Sequence, residues 1–527
     1  MENKNKHLNH IIKGGLILTA SSFIAKLLSA VYKVPFQNLT GDAGFYVYQQ
    51  IYPIYGLAVG LTLTGLPAFI SKVVSEAEDE TMLQTSMQEL NTWLWTIGLG
   101  MFALLQFGAT TMAQLMGDVQ LVPVIQSVSY FFLFLPFLAL TRGYFQGDAN
   151  MVPTSISQVI EQLVRVLVLL GVAIYFTSSS WSVYEMGQNA YTSSWLSAIA
   201  SSVVLLYYLW KRQKGHQFLK VLKPRWSLKM GRRLFSEGVL FIATSSLMVL
   251  FQFIDSFTVF NALSEVRYAP SLAMNLKGVY DRGQPFVQLG LVVGLGFATS
   301  SLPILRKWAL ENKKIEWVKN ASSLLRMTLL LAGAATVGLM AVMPAMNYTL
   351  FTDHAGTSTL QIFVISVLLA SFIYSMHTIL QSKQGKDNSI LALLIGLVFK
   401  ATMNKLAVRT LGISGASLVT VFSLLIICGL MMQMIEKEVW RATFRHHFLF
   451  KTAALLFAMY FSVWGTAQLA TNLFDLSGRT ANLMLTLLGV FVGLLVFGAG
   501  AIWLNIFHQD ELEQLPIPSR LKQRKRK

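Results

Sequence analysis

Gly56-Leu57-Ala58-Val59-Gly60-Leu61 and Gly290-Leu291-Val292-Val293-Gly294-Leu295 are two copies of one apolar pattern. Leu66-Pro67 follows the first and Leu302-Pro303 the second, and Lys72 and Arg306 close the two stretches. Upstream, Gly15 to Ser22 matches Gly238 to Ser246, each a glycine followed by an apolar run bearing Thr and Ser. Downstream, Gln146-Gly147-Asp148-Ala149-Asn150 resembles Gln384-Gly385-Lys386-Asp387-Asn388. The matches keep one order and similar offsets. That argues for an internal repeat over a chance likeness of apolar sequence.

The chain around the repeat is 54% hydrophobic and only 13% charged over 527 residues, with mean hydropathy +0.54. Soluble domains carry about 25% charged residues. Apolar runs of the roughly 17–25 residues needed to cross a bilayer recur from end to end. They fall near 12–32, 45–70, 91–116, 122–144, 154–176, 189–210, 236–260, 284–305, 319–346, 358–381, 389–408, 413–435, 449–470 and 481–507. The expectation is an all-α integral membrane protein with about fourteen spans. The N-terminal run contains Lys26 and lacks a small-residue cleavage pattern, so it reads as an uncleaved first span.

Each repeat holds six spans. An even number preserves orientation, so the halves are parallel repeats about an axis along the membrane normal. The expected organisation is an N-lobe over 1–215 and a basic cytoplasmic linker over 216–235. A C-lobe over 236–440, two extra spans over 441–510 and a basic tail over 511–527 follow. Such an architecture places a cavity between lobes and lets one lobe rock against the other.

The net charge of +17 is mostly a topology signal. Of 42 basic residues, about 31 fall on one side of the spans, including the 211–233 segment and the tail, and Arg142 is counted with them. The other side holds Lys33, Arg267, Lys277, Arg282, Lys405, Arg409 and Arg479. The rich side is expected to be cytoplasmic, with both termini inside. The basic linker and tail are expected to touch anionic membrane lipid. No fold or aromatic platform for nucleic acid accompanies the charge. The sole cysteine, Cys428, sits in an apolar run, and no enzyme or metal motif is present.

Charges within spans mark candidate sites, because a lysine at the bilayer centre costs about 2.5–3.5 kcal/mol on insertion scales. Thr19, Ser22, Lys26, Ser29 and Lys33 form one polar stripe, which faces either a wet cavity or a structural partner. The fifth span carries Gln158, Glu161, Gln162 and Arg165, and the spacing of Glu161 and Arg165 suits an intrahelical ion pair. Lys400 and Asn404 share a face, as do Ser245, Gln252 and Asp255, the last placed near solvent. Arg326 is expected to snorkel. Tyr46, Tyr48, Tyr52 and Tyr55 read as an interfacial aromatic belt or a sugar-stacking surface.

Several stretches carry a resemblance to a family. They are Lys26-Leu27-Leu28-Ser29-Ala30-Val31-Tyr32, Tyr48-Gln49-Gln50-Ile51-Tyr52-Pro53-Ile54-Tyr55 and Gly65-Leu66-Pro67-Ala68-Phe69-Ile70-Ser71-Lys72. Pro153 through Arg165 and Tyr280-Asp281-Arg282-Gly283-Gln284-Pro285 complete the set. The chain resembles the polysaccharide transporter branch of the multidrug/oligosaccharidyl-lipid/polysaccharide exporter superfamily. That branch holds stage V sporulation protein B-like proteins and is related to lipid II flippases. The resemblance implies a flippase rather than an enzyme, moving an undecaprenyl-linked saccharide from inner to outer leaflet. It implies no cofactor, with a coupling ion or the membrane potential as the drive. It places Lys26 and Arg282 at a pyrophosphate. Gln50, Asp255 and Lys400, polar residues within spans, are further candidate cavity contacts. Tyr32 stands where the pattern has a second first-helix arginine, and the second-helix basic pair falls near Pro53-Ile54. A cation-coupled multidrug antiporter of the same fold is the alternative. It would favour acidic residues within the spans, which are sparse here.

Overall fold

The structure is a computed structural model that describes residues 21–25, 27–211, 220–238, 246–266, 268–383, 389–473 and 478–507. Lys26 and Thr19 of the stripe, Ser245, the 384–388 loop and the basic tail lie outside these. Among the described residues every regular element is helical. Thirteen helical runs among the described residues are long and apolar enough to span a membrane. They are α1 (Ser21–Glu76), α2 (Glu80–Phe107), α3 (Val119–Gly147), α4 (Val152–Ser178), α5 (Val183–Lys211), α6 (Leu247–Glu265) and α7 (Pro270–Leu310). They continue with α8 (Lys314–Phe351), α9 (Thr357–Gln381), α10 (Ser389–Leu411), α11 (Ile413–Met434), α12 (Arg445–Leu473) and α13 (Arg479–Trp503).

α1 has 56 residues. At 1.5 Å per residue that is roughly 80 Å, more than twice a hydrocarbon core of about 30 Å. It holds two spans, and the chain changes direction at Gly41 (φ 68°, ψ 179°), a conformation that glycine adopts without a Cβ penalty. Counting α1 twice gives fourteen spans.

By packing, the chain divides into two compact units: Met1–Asp281 with Lys400–Gly412, and Arg282–Phe399 with Ile413–Lys527. This division follows contact, whereas the six-helix halves follow the repeat. α6, the first stretch of α7 and the last turns of α10 pack within the first unit.

In the first unit α3 lies close along α1 because Gly143 and Gly147, one turn apart, present no side chain. A Cβ on either would stand 2.5 Å from Ile70 or Val74. Small residues at this spacing let membrane helices approach where no hydrophobic drive separates helix from lipid. Near the contact, Leu61–Gly65 forms a π-helical turn. Such turns loosen the helix ladder, and here the carbonyl of Thr62 accepts from Arg142 Nη1 at 3.3 Å.

In the second unit α8, α12 and α13 pack around Leu330, Phe448, Leu455, Ala501 and Ile506. Arg479, opening α13, donates to the carbonyl of Thr349 near the end of α8 at 2.8 Å. At the opposite end Arg326 of α8 donates to the carbonyl of Ile506 at 2.7 Å and lies over the Phe448 ring. Its side chain is buried, so Arg326 does not snorkel; it serves the free carbonyls past the end of α13. α12 and α13 also expose Phe450, Phe457, Leu487 and Trp503, as a lipid-facing surface does.

Other expectations need correction. Lys33, Lys277 and Arg282 are not in exposed connections. Lys33 lies within α1, and the stretch after α6 is itself helix from Pro270 to Asp281. All three are buried. Arg142, counted with the cytoplasmic loops, is fully buried in α3. Tyr46, Tyr48, Tyr52 and Tyr55 do not form an interfacial belt; all are buried inside the first unit. In each case the sequence spaced its hydropathy correctly, but a helix continued through a polar stretch because tertiary partners satisfied it.

Candidate anion-binding site

α4 begins at Val152 with Pro153 in its first turn, where the missing N–H of proline costs nothing. Its buried face carries Ser157, Gln158, Glu161 and Arg165. The expected Glu161–Arg165 pair does not form. Arg142 Nη2 takes Glu161 Oε2 at 2.5 Å, with both side chains buried. Arg142 also donates to Ser157 Oγ at 3.2 Å and Ser201 Oγ at 2.7 Å. One guanidinium thus ties α1, α3, α4 and α5 together. Spacing within one helix could not show this, because the partner comes from the helix before.

Arg165 points elsewhere. Its Nη2 donates to Tyr32 OH at 3.0 Å and Tyr48 OH at 2.6 Å, and the two hydroxyls are 2.8 Å apart. Its Cζ lies 4.1 Å from the centre of the Tyr55 ring and 5.7 Å from that of Tyr52. Tyr191 stacks on Tyr48 and donates to its carbonyl at 2.6 Å. Lys33 Nζ stands 4.1 Å from the centre of the Tyr52 ring. Among the described residues no carboxylate lies within 4.0 Å of the Arg165 guanidinium. The charge is therefore held by phenols and π faces, which orient a cation without neutralising it. Tyr32 occupies the position where the resemblance expects an arginine, and the guanidinium beside it comes from α4.

The hydrogen-bond count favours an anion. A phenol has one proton. Tyr32 and Tyr48 both accept from Arg165, and one of them donates to the other. The second phenolic proton remains for an onward bond, polarised by the guanidinium. Ser22 Oγ donates to Gln158 Oε1 at 3.2 Å, so the polar stripe of α1 faces this same side of α4. Lys26 belongs to that stripe by register but lies outside the described residues.

Asp255 and Lys400 come together. Lys400 Nζ is 2.8 Å from Asp255 Oδ1, and both are buried. Asn404 Nδ2 and Tyr280 OH donate to the two carboxylate oxygens at 2.9 Å each. Asp255 is thus a buried hub and not a solvated helix end. Next to it, Gln50 Nε2 donates to the carbonyl of Ser256 at 2.5 Å, while Gln50 Oε1 has no partner among the described residues. Lys277 Nζ contacts both oxygens of Asp281 at 2.7 Å. The spacing of Lys277 and Asp281 was the legible signal for this missed pair.

In the second unit Arg282 forms a two-pronged pair with Asp353, at 2.6 and 2.9 Å, with its guanidinium over the Phe351 ring. Asp353 also accepts from the backbone N–H of Ala355. The Arg282 guanidinium, followed by the Ala355 N–H, holds the Asp353 carboxyl below the usual carboxylate range.

Comparison with known proteins agrees with this architecture. Residues 11–309 match the model of the polysaccharide biosynthesis protein family. The chain is 35% identical to the uncharacterized membrane protein YabM of Bacillus subtilis (strain 168), over 97% of this chain and 96% of that one. It is 26% identical to the lipid II flippase MurJ of the same organism, over 78% of this chain and 79% of the relative. It is 25% identical to stage V sporulation protein B, over 97% and 98%. Among solved structures, an inward closed conformation of MurJ superposes with a TM-score of 0.66 at 12% identity, covering 93% of this chain and 98% of the other. An inward-facing multidrug resistance MATE transporter gives 0.66 at 14% identity, over 80% and 96%. These structures share the fold. The chain belongs to the polysaccharide biosynthesis protein family, a transporter family of the multidrug/oligosaccharidyl-lipid/polysaccharide exporter superfamily.

Proposed function

We propose that this protein moves an undecaprenyl-linked saccharide from the inner to the outer leaflet of the cell membrane by alternating access. The observation that carries the reading is Arg165, a buried guanidinium held by tyrosines and met by no carboxylate among the described residues. A pyrophosphate linker is anionic and has to cross apolar material. Arginine meets phosphate with charge-assisted, geometrically matched hydrogen bonds. The surrounding tyrosine rings offer faces to a sugar. A membrane potential negative inside drives each exported negative charge by about 2.3 kcal/mol per 100 mV. The relative named a lipid II flippase supports the substrate class.

Lys26 and Arg282 remain proposed contacts of the anion, Arg282 on release of Asp353. Gln50 is proposed as a contact of the saccharide and not of the anion, its Oε1 accepting from a sugar hydroxyl. Asp255 and Lys400 are proposed to respond together, as a paired unit. The antiporter alternative is not favoured. It needs an acid open to a proton or a cation, but Glu161, Asp255 and Asp281 each already hold a basic side chain.

The test is accumulation of undecaprenyl-linked precursors in cells depleted of the protein and complemented with variants. Arg165→Gln should cut transport severely, because the anion loses its charge partner, while protein abundance in membranes stays near normal. Arg165→Lys should rescue part of it. Normal export with Arg165→Gln at normal abundance removes the proposed site.

A further inference from the structure

We infer that a crevice at one end of the first unit binds an uncharged saccharide. α2 stops at Phe107, and the first turns of α3 and α5 lie at the same end of the bundle. Between them is a cavity of about 510 Å³, within the range of roughly 300–1,000 Å³ typical of small-molecule sites. None of its twelve lining residues is charged.

The polar groups are mainly carboxamides, from Gln106, Gln126, Gln188 and Asn189. A carboxamide offers donors and an acceptor side by side, and so does a sugar hydroxyl in one atom. An anion needs donors alone and a cation acceptors alone, so this lining selects neither. Tyr130 and Trp195 add flat faces against which the C–H face of a pyranose can lie.

Part of the lining is pre-set. Ser129 Oγ donates to Gln106 Oε1 at 2.9 Å, and Gln126 Nε2 donates to the carbonyl of Gln106 at 3.3 Å. Ser127 Oγ donates to the carbonyl of Gln188 at 2.8 Å, which fixes the start of α5 against α3. The Gln188 carboxamide, Tyr130 hydroxyl and Trp195 indole N–H make no hydrogen bond among the described residues. Ile199, also in the lining, and Leu104 and Phe107, within a turn of Gln106 on α2, expose large apolar side chains. At the edge of hydrocarbon amphipathic groups such as Tyr130 and Trp195 are open to water or to a polar ligand. A ligand that satisfies them and carries its own lipid tail suits the position.

On the proposed orientation this end of the unit is the outer one, so the crevice would receive the head group as it arrives in the outer leaflet. The leaflet and the undecaprenyl tail rest on the transport reading; recognition of a neutral sugar rests on the cavity alone.

The full chain, purified into nanodiscs, should show saturation transfer in NMR to N-acetylglucosamine and its β-1,4 disaccharide, and excess inorganic pyrophosphate should not compete that signal away. Gln188→Leu, at an exposed position, and Trp195→Leu should each weaken that signal about tenfold, as loss of one or two hydrogen bonds does. Benzoylphenylalanine in place of Tyr130 should crosslink an undecaprenyl-linked saccharide or a neutral diglucosyl glycolipid in the nanodisc. The first result identifies the cargo and the second a resident lipid, and either supports a saccharide site. Absence of sugar signal, wild-type signal in both leucine variants, or crosslinking to phosphatidylglycerol alone would overturn it. Sugar binding that persists while export ignores Arg165 defeats the transport reading and not the crevice. Export that depends on Arg165 without sugar binding does the reverse.

Discussion

Two arginines one helix apart show how little residue type decides and how much the partner does. Arg142 ends on a buried carboxylate with two hydroxyls and a carbonyl, so every prong is used in holding helices together. Arg165 ends on phenols and rings, with no carboxylate against it among the described residues. Glu161→Gln should therefore destabilise the protein by about 3–5 kcal/mol, because a buried guanidinium loses its counter-charge. Thermal unfolding in detergent measures this, and Arg142→Met with Glu161→Met together should recover part of the loss. Unchanged melting of the single variant would show that the pair carries no structural weight. The Arg282–Asp353 pair makes a different prediction, since Asp353 lies outside the spans. Its folded pKa is depressed, so its contribution is full above the ordinary carboxylate value of about 3.9 and fades as pH falls through the lower folded value. Asp353→Asn should flatten that acid limb of the melting curve while leaving neutral pH less stable than wild type. An identical acid limb in the variant would assign the pH dependence to other groups.

At the scale of elements, the segment between the repeats is more than a tether. From Lys220 onward it lies along α2. Gln88 donates to the carbonyl of Lys220 and Trp93 Nε1 to that of Ser227, each at 2.9 Å. Thr92 Oγ1 accepts from the N–H of Arg225, and Trp226 packs edge-on against Trp93. Arg233 then bridges Glu76 and Glu237. Exposed Trp226 and Leu228 alternate with basic residues, the pattern of a segment seated at a membrane surface. Trp93→Ala removes both the bond and the ring contact, so trypsin should cut between Lys220 and Arg233 roughly tenfold faster than in wild type. Equal cutting rates would mean that the segment is held elsewhere. Its basic composition was plain in the sequence. Its docking was not, because the contacts depend on α2, more than a hundred residues earlier. The same limit hid the 270–281 helix. Its mean hydropathy is low, and only packing against α1 shows why it does not remain a loop.

For the whole molecule, the spans were legible because hydrocarbon allows few alternatives: backbone groups in lipid must bond within their own helix. Hydropathy therefore located fourteen crossings, and it misjudged only where helices run past the apolar stretch into buried polar contacts. Those overruns matter for topology. Arg142 on the rich side, and Lys33, Lys277 and Arg282 on the poor side, are buried and should be withdrawn from the loop count. Removing one residue from the rich side and three from the poor side sharpens the asymmetry, so the expected orientation is strengthened by its own corrections. With Cys428 changed to Ser, single cysteines at Ser178 and Thr357 should react with a membrane-impermeant maleimide in intact cells. Cysteines at Gln213 and Ser519 should react only after the membrane is opened. Ser178 ends α4 at an exposed position and Thr357 opens α9, so both lie at helix ends and not within an apolar core. The reverse pattern would turn the proposed export into import. It would also place the carboxamide crevice on the cytoplasmic face, where it would meet the saccharide before the crossing.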